Sequence, residues 1–189
     1  VVVHDPDLKR VFGIDKKIAE LDFETLKKLC PHVPSLELVL KKYGGKMHLM
    51  IEVKHEFYPD IEQQNLILEK LLSDIEPCRD YHLISLNPGM LERIECVSNH
   101  AKMPIAELHI SELSRIALEK EYGGLLGHYL LIDAKTVQKH LDAGQKIGTG
   151  YPNSRNAMYR EINRGVSWLF SNDAERLDRL KSYVLQEYE

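Results

Sequence analysis

Cysteine is scarce: Cys30, Cys78 and Cys96 are three in 189 residues, an odd and widely spaced set that matches no zinc-ligand spacing. They are expected to be reduced thiols serving as small apolar groups. No apolar run approaches the roughly 20 residues of a membrane span. Neither sign of charge dominates. There are 29 acids against 25 bases for a net charge of −4, the two are interspersed, and no basic stripe with interleaved aromatics marks a nucleic-acid surface. Nine histidines are present, yet none forms an HxH or HxxxH pair suited to a metal. A glycine-rich phosphate loop, a low-complexity segment and an interdomain linker are also missing. What remains, 43% hydrophobic and 29% charged, is the composition of a soluble globular protein, with residues 1–189 read as a single domain. There is no initiator Met and no signal peptide, so the N-terminus is expected to be a cut or processed edge and a cytoplasmic location is the default.

Two apolar runs carry the chemistry. Val1-Val2-Val3 leads into His4-Asp5-Pro6, and Leu49-Met50-Ile51-Glu52-Val53-Lys54 ends on a carboxylate and an ammonium at alternate positions. Side chains alternate across a strand, so Glu52 and Lys54 share a face. Apolar strands that release polar groups at their C-terminal ends are the pattern of a parallel α/β active site. The alternatives are solvated strand ends, an ion pair of Glu52 with Lys54, and a turn in which Asp5 satisfies His4.

The spacing predicts a loop over 5–21, then a helix from an Asp22 cap through Phe23, Leu26 and Leu29, stopped by Pro31 and Pro34. Ser35 caps a second helix, Leu36 to Tyr43, before Gly44-Gly45. Strands are predicted over 47–54, 81–86, 104–108, 125–132, 146–150 and 166–170. Helices are predicted from the capping box at Asp60-Ile61-Glu62-Gln63, over 88–97, 111–121, 134–141 and 154–163, and from Ala174 onward. Alternation of this kind implies right-handed βαβ units and a mainly parallel sheet of six or seven repeats. An eight-fold barrel takes about 250 residues, so the chain is short by about two units. The fold class is therefore α/β, a TIM (β/α)8-type barrel incomplete at its N-terminus, with an open doubly wound sheet as the alternative.

Val3-His4-Asp5-Pro6-Asp7-Leu8-Lys9-Arg10 resembles the third-strand motif of the glycerophosphodiester phosphodiesterase family. Pro34-Ser35-Leu36-Glu37-Leu38-Val39-Leu40 resembles a helix motif of the same family. Ile51-Glu52-Val53-Lys54 matches its fourth-strand IExK signature, and the intervals between the three agree. Ile84-Ser85-Leu86-Asn87-Pro88 is similar to the fifth-strand segment, and Arg164 to Asn172 to the closing strand.

The resemblance implies a hydrolase that cleaves a small-molecule glycerophosphodiester to sn-glycerol 3-phosphate and an alcohol, assisted by one divalent cation, magnesium or calcium. It assigns acid/base catalysis to His4, a metal-ligand role to Glu52, and phosphate contact to Lys54. Ser85, Asn87 and Tyr151 are the expected substrate contacts; Ser85 and Asn87 also suit capping of the next helix. His128 and Glu107 are read as core or surface residues, and Trp168 as packing.

Departures accompany the match. The family's Thr-Thr is Val11-Phe12 here, its fifth-strand Phe is Leu86, its Trp-Thr-Val-Asn is Gly150-Tyr151-Pro152-Asn153, and its final Thr-Asp is Ser171-Asn172. The His-Arg-Gly and Glu-x-Asp motifs belong ahead of Val1, so the segment as it stands is expected to be inactive. Two other readings stand beside the enzyme. One is a catalytically impaired relative that binds a phosphorylated polyol or acts as an interaction domain. The other is a barrel phosphodiesterase of the phospholipase C or D type, which would need an exposed apolar rim. The oligomeric state is left open.

Overall fold

The computed structural model describes residues 1–56 and 60–186. Six strands, β1 Leu49–Glu52, β2 Tyr81–Ser85, β3 Lys102–Ala106, β4 Gly124–His128, β5 Lys146–Gly150 and β6 Trp168–Phe170, form one sheet in sequence order. Every neighbouring pair is parallel. Each connection carries a helix: α4 Ile61–Leu72, α5 Pro88–Glu92, α6 Ile110–Glu119, α7 Ala134–Asp142 and α8 Arg155–Asn163; α9 Ala174–Gln186 follows β6. Strands in unbroken sequential order make a barrel wall, whereas a doubly wound sheet reverses its order midway. The fold is an incomplete TIM-type barrel of six βα units.

Ring contacts reveal how far the sheet curls. Trp168 on β6 lies 5.0 Å from His82 on β2 and 5.5 Å from His48 just before β1. Flat strands about 4.8 Å apart would hold β2 and β6 roughly 19 Å from each other. The two flanks have therefore rolled together, and Trp168 seals one end of the concave face.

Alternation then divides the side chains. Met50, Ile84, Met103, Ile105, Leu126, Trp168 and Phe170 pack together on the concave face. Leu49, Ile51, Val53, Tyr81 and Leu83 face the helices, as do Leu125 and Ile147 farther along. Helix starts are fixed by side-chain caps: Asp22, Ser35, Asp60, Asp133 and Ser154 each accept a backbone N–H from the first turn. Behind the sheet, Gln145 accepts from His140 Nδ1 at 2.6 Å and donates to the Ala117 carbonyl, which leaves His140 Nε2 to accept from Ser114 at 2.9 Å. That buried chain ties α6 to α7.

Several predicted elements end elsewhere. Val1 to Val3 form no strand. Instead the Val2 N–H bonds the Pro34 carbonyl at 2.9 Å, and Val3 packs on a separate small core of Leu8, Leu26, Cys30 and Val33. The predicted loop over 5–21 contains a short helix, α1 Lys9–Phe12, and a 3₁₀ turn, Ile18–Glu20; two helices, α2 Phe23–Leu29 and α3 Leu36–Tyr43, follow as expected. Helix α5 stops at Glu92 and does not run to 97. The Asn65 side chain captures the Arg93 carbonyl and the Glu95 N–H, drawing the chain away from the helical path. Strand β4 ends at His128, not 132, because the His128 carbonyl accepts from Leu131 and Ile132 in a turn.

Candidate functional site

Strand β1 brings Glu52 to the concave face, on the same side as Met50. Lys54 follows two residues on and its Nζ donates to Glu52 Oε2 at 2.7 Å, both side chains being about one-third exposed. Glu52 and Lys54 share a side as alternation predicts, at the C-terminal mouth of the sheet, and they meet there as the ion pair that was the alternative to a metal-ligand role for Glu52. An ammonium at this place can meet an anionic oxygen while its carboxylate partner holds it in position.

His4 is held elsewhere. Its Nδ1 lies 2.7 Å from Asp5 Oδ1, and Asp5 in turn accepts from Arg10 Nε at 2.6 Å and Nη2 at 3.0 Å. The guanidinium, and then the imidazole, hold the Asp5 carboxyl down at about 2. The ionised Asp5 accepts a hydrogen bond from His4 Nδ1–H, the turn in which Asp5 satisfies His4, and Nε2 is the other ring nitrogen. The imidazole lines a pocket of about 210 Å³ with Asp7, Leu8, Phe12, His32 and Val33, to which neither Glu52 nor Lys54 contributes. The structure joins Glu52 to Lys54 and joins His4 to Asp5 and Arg10, as two groups.

Ser85 and Asn87 are engaged in the scaffold. The Ser85 side chain points to the helix side, buried, and its hydroxyl donates to the Val53 carbonyl at 2.7 Å while accepting from the Asn87 N–H. Asn87 Oδ1 caps α5 through the Gly89 N–H. Both side chains thereby fix the ends of β1 and β2 next to Lys54.

Tyr151 stands half-exposed just beyond β5, in a left-handed backbone conformation (φ 67°) that breaks the alternation of the strand. Its ring lies 5.6 Å from that of His128, which tilts against Tyr129 at 5.0 Å. His128 therefore belongs to the mouth and not to the core. Its signal in the sequence is the one that marks Glu52: a polar residue that ends an apolar strand in phase with the concave face. The Leu130 N–H donates to His128 Nδ1 at 3.2 Å, so the neutral ring carries its proton on Nε2.

A charged clamp supports this loop from below. Glu161 is fully buried and accepts from Arg160 at 2.8 Å and Arg164 at 3.0 Å. The two arginines donate onward to the carbonyls of Tyr129 and Ile132. Glu107 is exposed beyond β3, and Trp168 packs beneath Lys146 as well as against the histidines.

Among the described residues no three His, Cys, Asp or Glu side chains gather in a metal-binding group. Glu52 is one hard oxygen donor, whereas magnesium or calcium takes six to eight oxygens. Cys30, Cys78 and Cys96 are free, and burial pushes the Cys78 and Cys96 thiols up, as expected of unreactive apolar groups. No described helix is long and apolar enough to cross a membrane.

No protein-family model and no curated protein matches the sequence. Solved structures do. A phosphodiesterase from Oleispira antarctica, in complex with the product sn-glycerol 3-phosphate, superposes with a TM-score of 0.74 at 19% identity, covering 95% of this chain and 78% of that one. A glycerophosphodiester phosphodiesterase from Parabacteroides distasonis matches at 0.61 and 19% identity, over 80% of this chain and 65% of its own. A protein from Agrobacterium tumefaciens assigned the same activity matches at 0.71 and 13% identity, over 96% and 80%. The motif resemblance and the structural likeness agree, and the fold of this chain is the one seen in these glycerophosphodiester phosphodiesterases.

Proposed function

We propose that the protein is a phosphoric diester hydrolase of the glycerophosphodiester phosphodiesterase family, releasing sn-glycerol 3-phosphate and an alcohol from a small-molecule diester. The observation that carries the reading is the Glu52–Lys54 pair at the C-terminal mouth of a curled parallel sheet, where barrel enzymes hold their reacting groups.

A phosphodiester resists attack because its own negative charge repels nucleophiles. Lys54 meets a non-bridging oxygen and gains strength as that oxygen accumulates charge. Hydrolysis forms a bond from a water oxygen to phosphorus and breaks the P–O bond to the alcohol, and the proton that the attacking water loses must reach the departing alkoxide. The family resemblance gives that transfer, worth about 10²–10⁴-fold, to an imidazole; His4, held with Asp5 in its own pocket, would have to reach the mouth beside Lys54 to carry it. A divalent cation, when bound, would neutralise the phosphate charge with Glu52 as one of its oxygens. The described residues do not complete its coordination, and no step here passes through it.

The test is hydrolysis of glycerophosphocholine by the full-length natural protein, with sn-glycerol 3-phosphate measured as product. Turnover that falls at least about 100-fold in Glu52→Gln and in Lys54→Ala, and is lost with EDTA, is expected. Absence of turnover with any phosphodiester would refute the reading and favour a binding or interaction domain.

A further inference from the structure

We infer that His128 is a catalytic residue of this hydrolase: its Nε2–H faces Glu52 and Lys54 across the mouth and donates to the phosphoryl oxygen that gathers charge. The inference rests on the phosphodiesterase reading above and adds to it a group outside the motifs that carry the resemblance.

The registers of the sheet set His128 opposite the pair. Followed straight across the ladder through Gly148, Leu126 and Ile105, Trp168 on β6 falls opposite Leu86 after β2 and Lys54 after β1. Its ring instead meets those of His82 and His48, four and six residues earlier. The curl therefore displaces level neighbours by about one residue per strand, the slip that closes an eight-stranded barrel. His128 runs straight across to Glu56, and three strands of slip bring it level with Val53, between Glu52 and Lys54. Strand β4 stands three spacings from β1, about 14 Å on a flat sheet and less across the curl.

The concave face is open beside His128 and closed below it. Gly150 is its ladder partner on β5, and a Cβ there would have no neighbour nearer than 3.8 Å. Two residues earlier, a Cβ at Gly148 would collide with Leu126 and Phe170. The apolar floor thus ends one step beneath the imidazole, and the space above it is free for a small group such as phosphate. The hydrogen bonds of His128 then define its role. The Leu130 N–H occupies Nδ1, so the neutral ring offers Nε2–H alone. A neutral imidazole that gave up this proton would become an imidazolate, so it serves as a hydrogen-bond donor to an oxyanion and not as an acid. Its aim is set in advance. The His128 carbonyl accepts from Leu131 and Ile132, and Arg160 and Arg164 hold the carbonyls of Tyr129 and Ile132. A donor fixed before the reaction needs no rearrangement as charge grows on the oxygen.

Packing and donation predict opposite orders for two substitutions. Phenylalanine keeps the contacts with the Tyr129 and Tyr151 rings but has no N–H, whereas glutamine keeps a donor and loses the ring. With the full-length protein and glycerophosphocholine, His128→Phe is expected to lower kcat at least about 100-fold while KM stays within about three-fold, and His128→Gln to recover about ten-fold of that loss. A His128→Phe enzyme with kcat within about three-fold of the natural protein overturns the inference and leaves the phosphodiesterase reading intact. A second readout needs no turnover. In full-length protein carrying isotope-labelled histidine, the His128 nitrogen resonances, identified by their loss in His128→Phe, are expected to show the Nε2–H tautomer. Titration with sn-glycerol 3-phosphate is expected to shift the Nε2 signal saturably. Should no diester be hydrolysed, the phosphodiesterase reading fails and this titration judges the contact: a shift abolished by Lys54→Ala supports it, and an unmoved signal overturns it.

Discussion

His82 sits inside the sealed end of the sheet, its ring edge-on to Trp168 and its Nδ1 2.9 Å from His48 Nε2. His48 Nδ1 faces the Arg79 carbonyl and must donate to it, so in the neutral pair His82 Nδ1 is the donor to His48. Burial first, and then the facing His48 and Lys146, push the His82 imidazole down to about 4. The unfolded chain titrates near pH 6.5. Between those values the unfolded state binds a proton that the folded state does not, so stability falls as pH drops from about 6.5 to 4. Denaturant unfolding at pH 7 and 4.5 is expected to show about 2–3 kcal/mol lost to this group, and less in His82→Gln. At this scale the sequence was readable where one short stretch of chain fixes everything: Glu52 and Lys54 meet because they are two residues apart at the end of β1. His4 was not readable in the same way, since its position depends on Pro34, Val33 and the small core beneath them, contacts far along the chain.

Helices were legible where periodicity and a cap coincide, as at Ser35 with Leu36–Tyr43 and at Asp60 with Ile61–Leu72. They were misread where one distant side chain decides an end, as Asn65 does for α5. Glycines show the same division. Gly124 opens β4 with φ +154°, and a Cβ there would collide with the Lys146 carbonyl oxygen of the neighbouring strand. Gly144 has φ +73° but open space around it. Gly124→Ala is therefore expected to cost several kcal/mol, and Gly144→Ala about 1 kcal/mol, by thermal or chemical unfolding. Equal costs would mean that backbone strain and not strand approach governs both. Glu161 offers a third measurement. Removing it leaves the largely buried Arg164 charge uncompensated beneath the β4–α7 loop, so Glu161→Ala should destabilise by about 3–5 kcal/mol, and Arg164→Met should recover part of that loss in the double variant.

For the whole molecule, strand–helix alternation foretold a parallel barrel wall, and the six-stranded sheet in sequence order is that wall. Alternation alone did not show the curl, which is visible only when side chains of β2 and β6 are found in contact. The most direct test of the account is a crystal of the full-length protein soaked with sn-glycerol 3-phosphate. The phosphate is expected within hydrogen-bond distance, about 3 Å, of Lys54 Nζ at the C-terminal mouth of the strands. A phosphate bound instead at the opposite end, beside His48, His82 and Lys146, would contradict it.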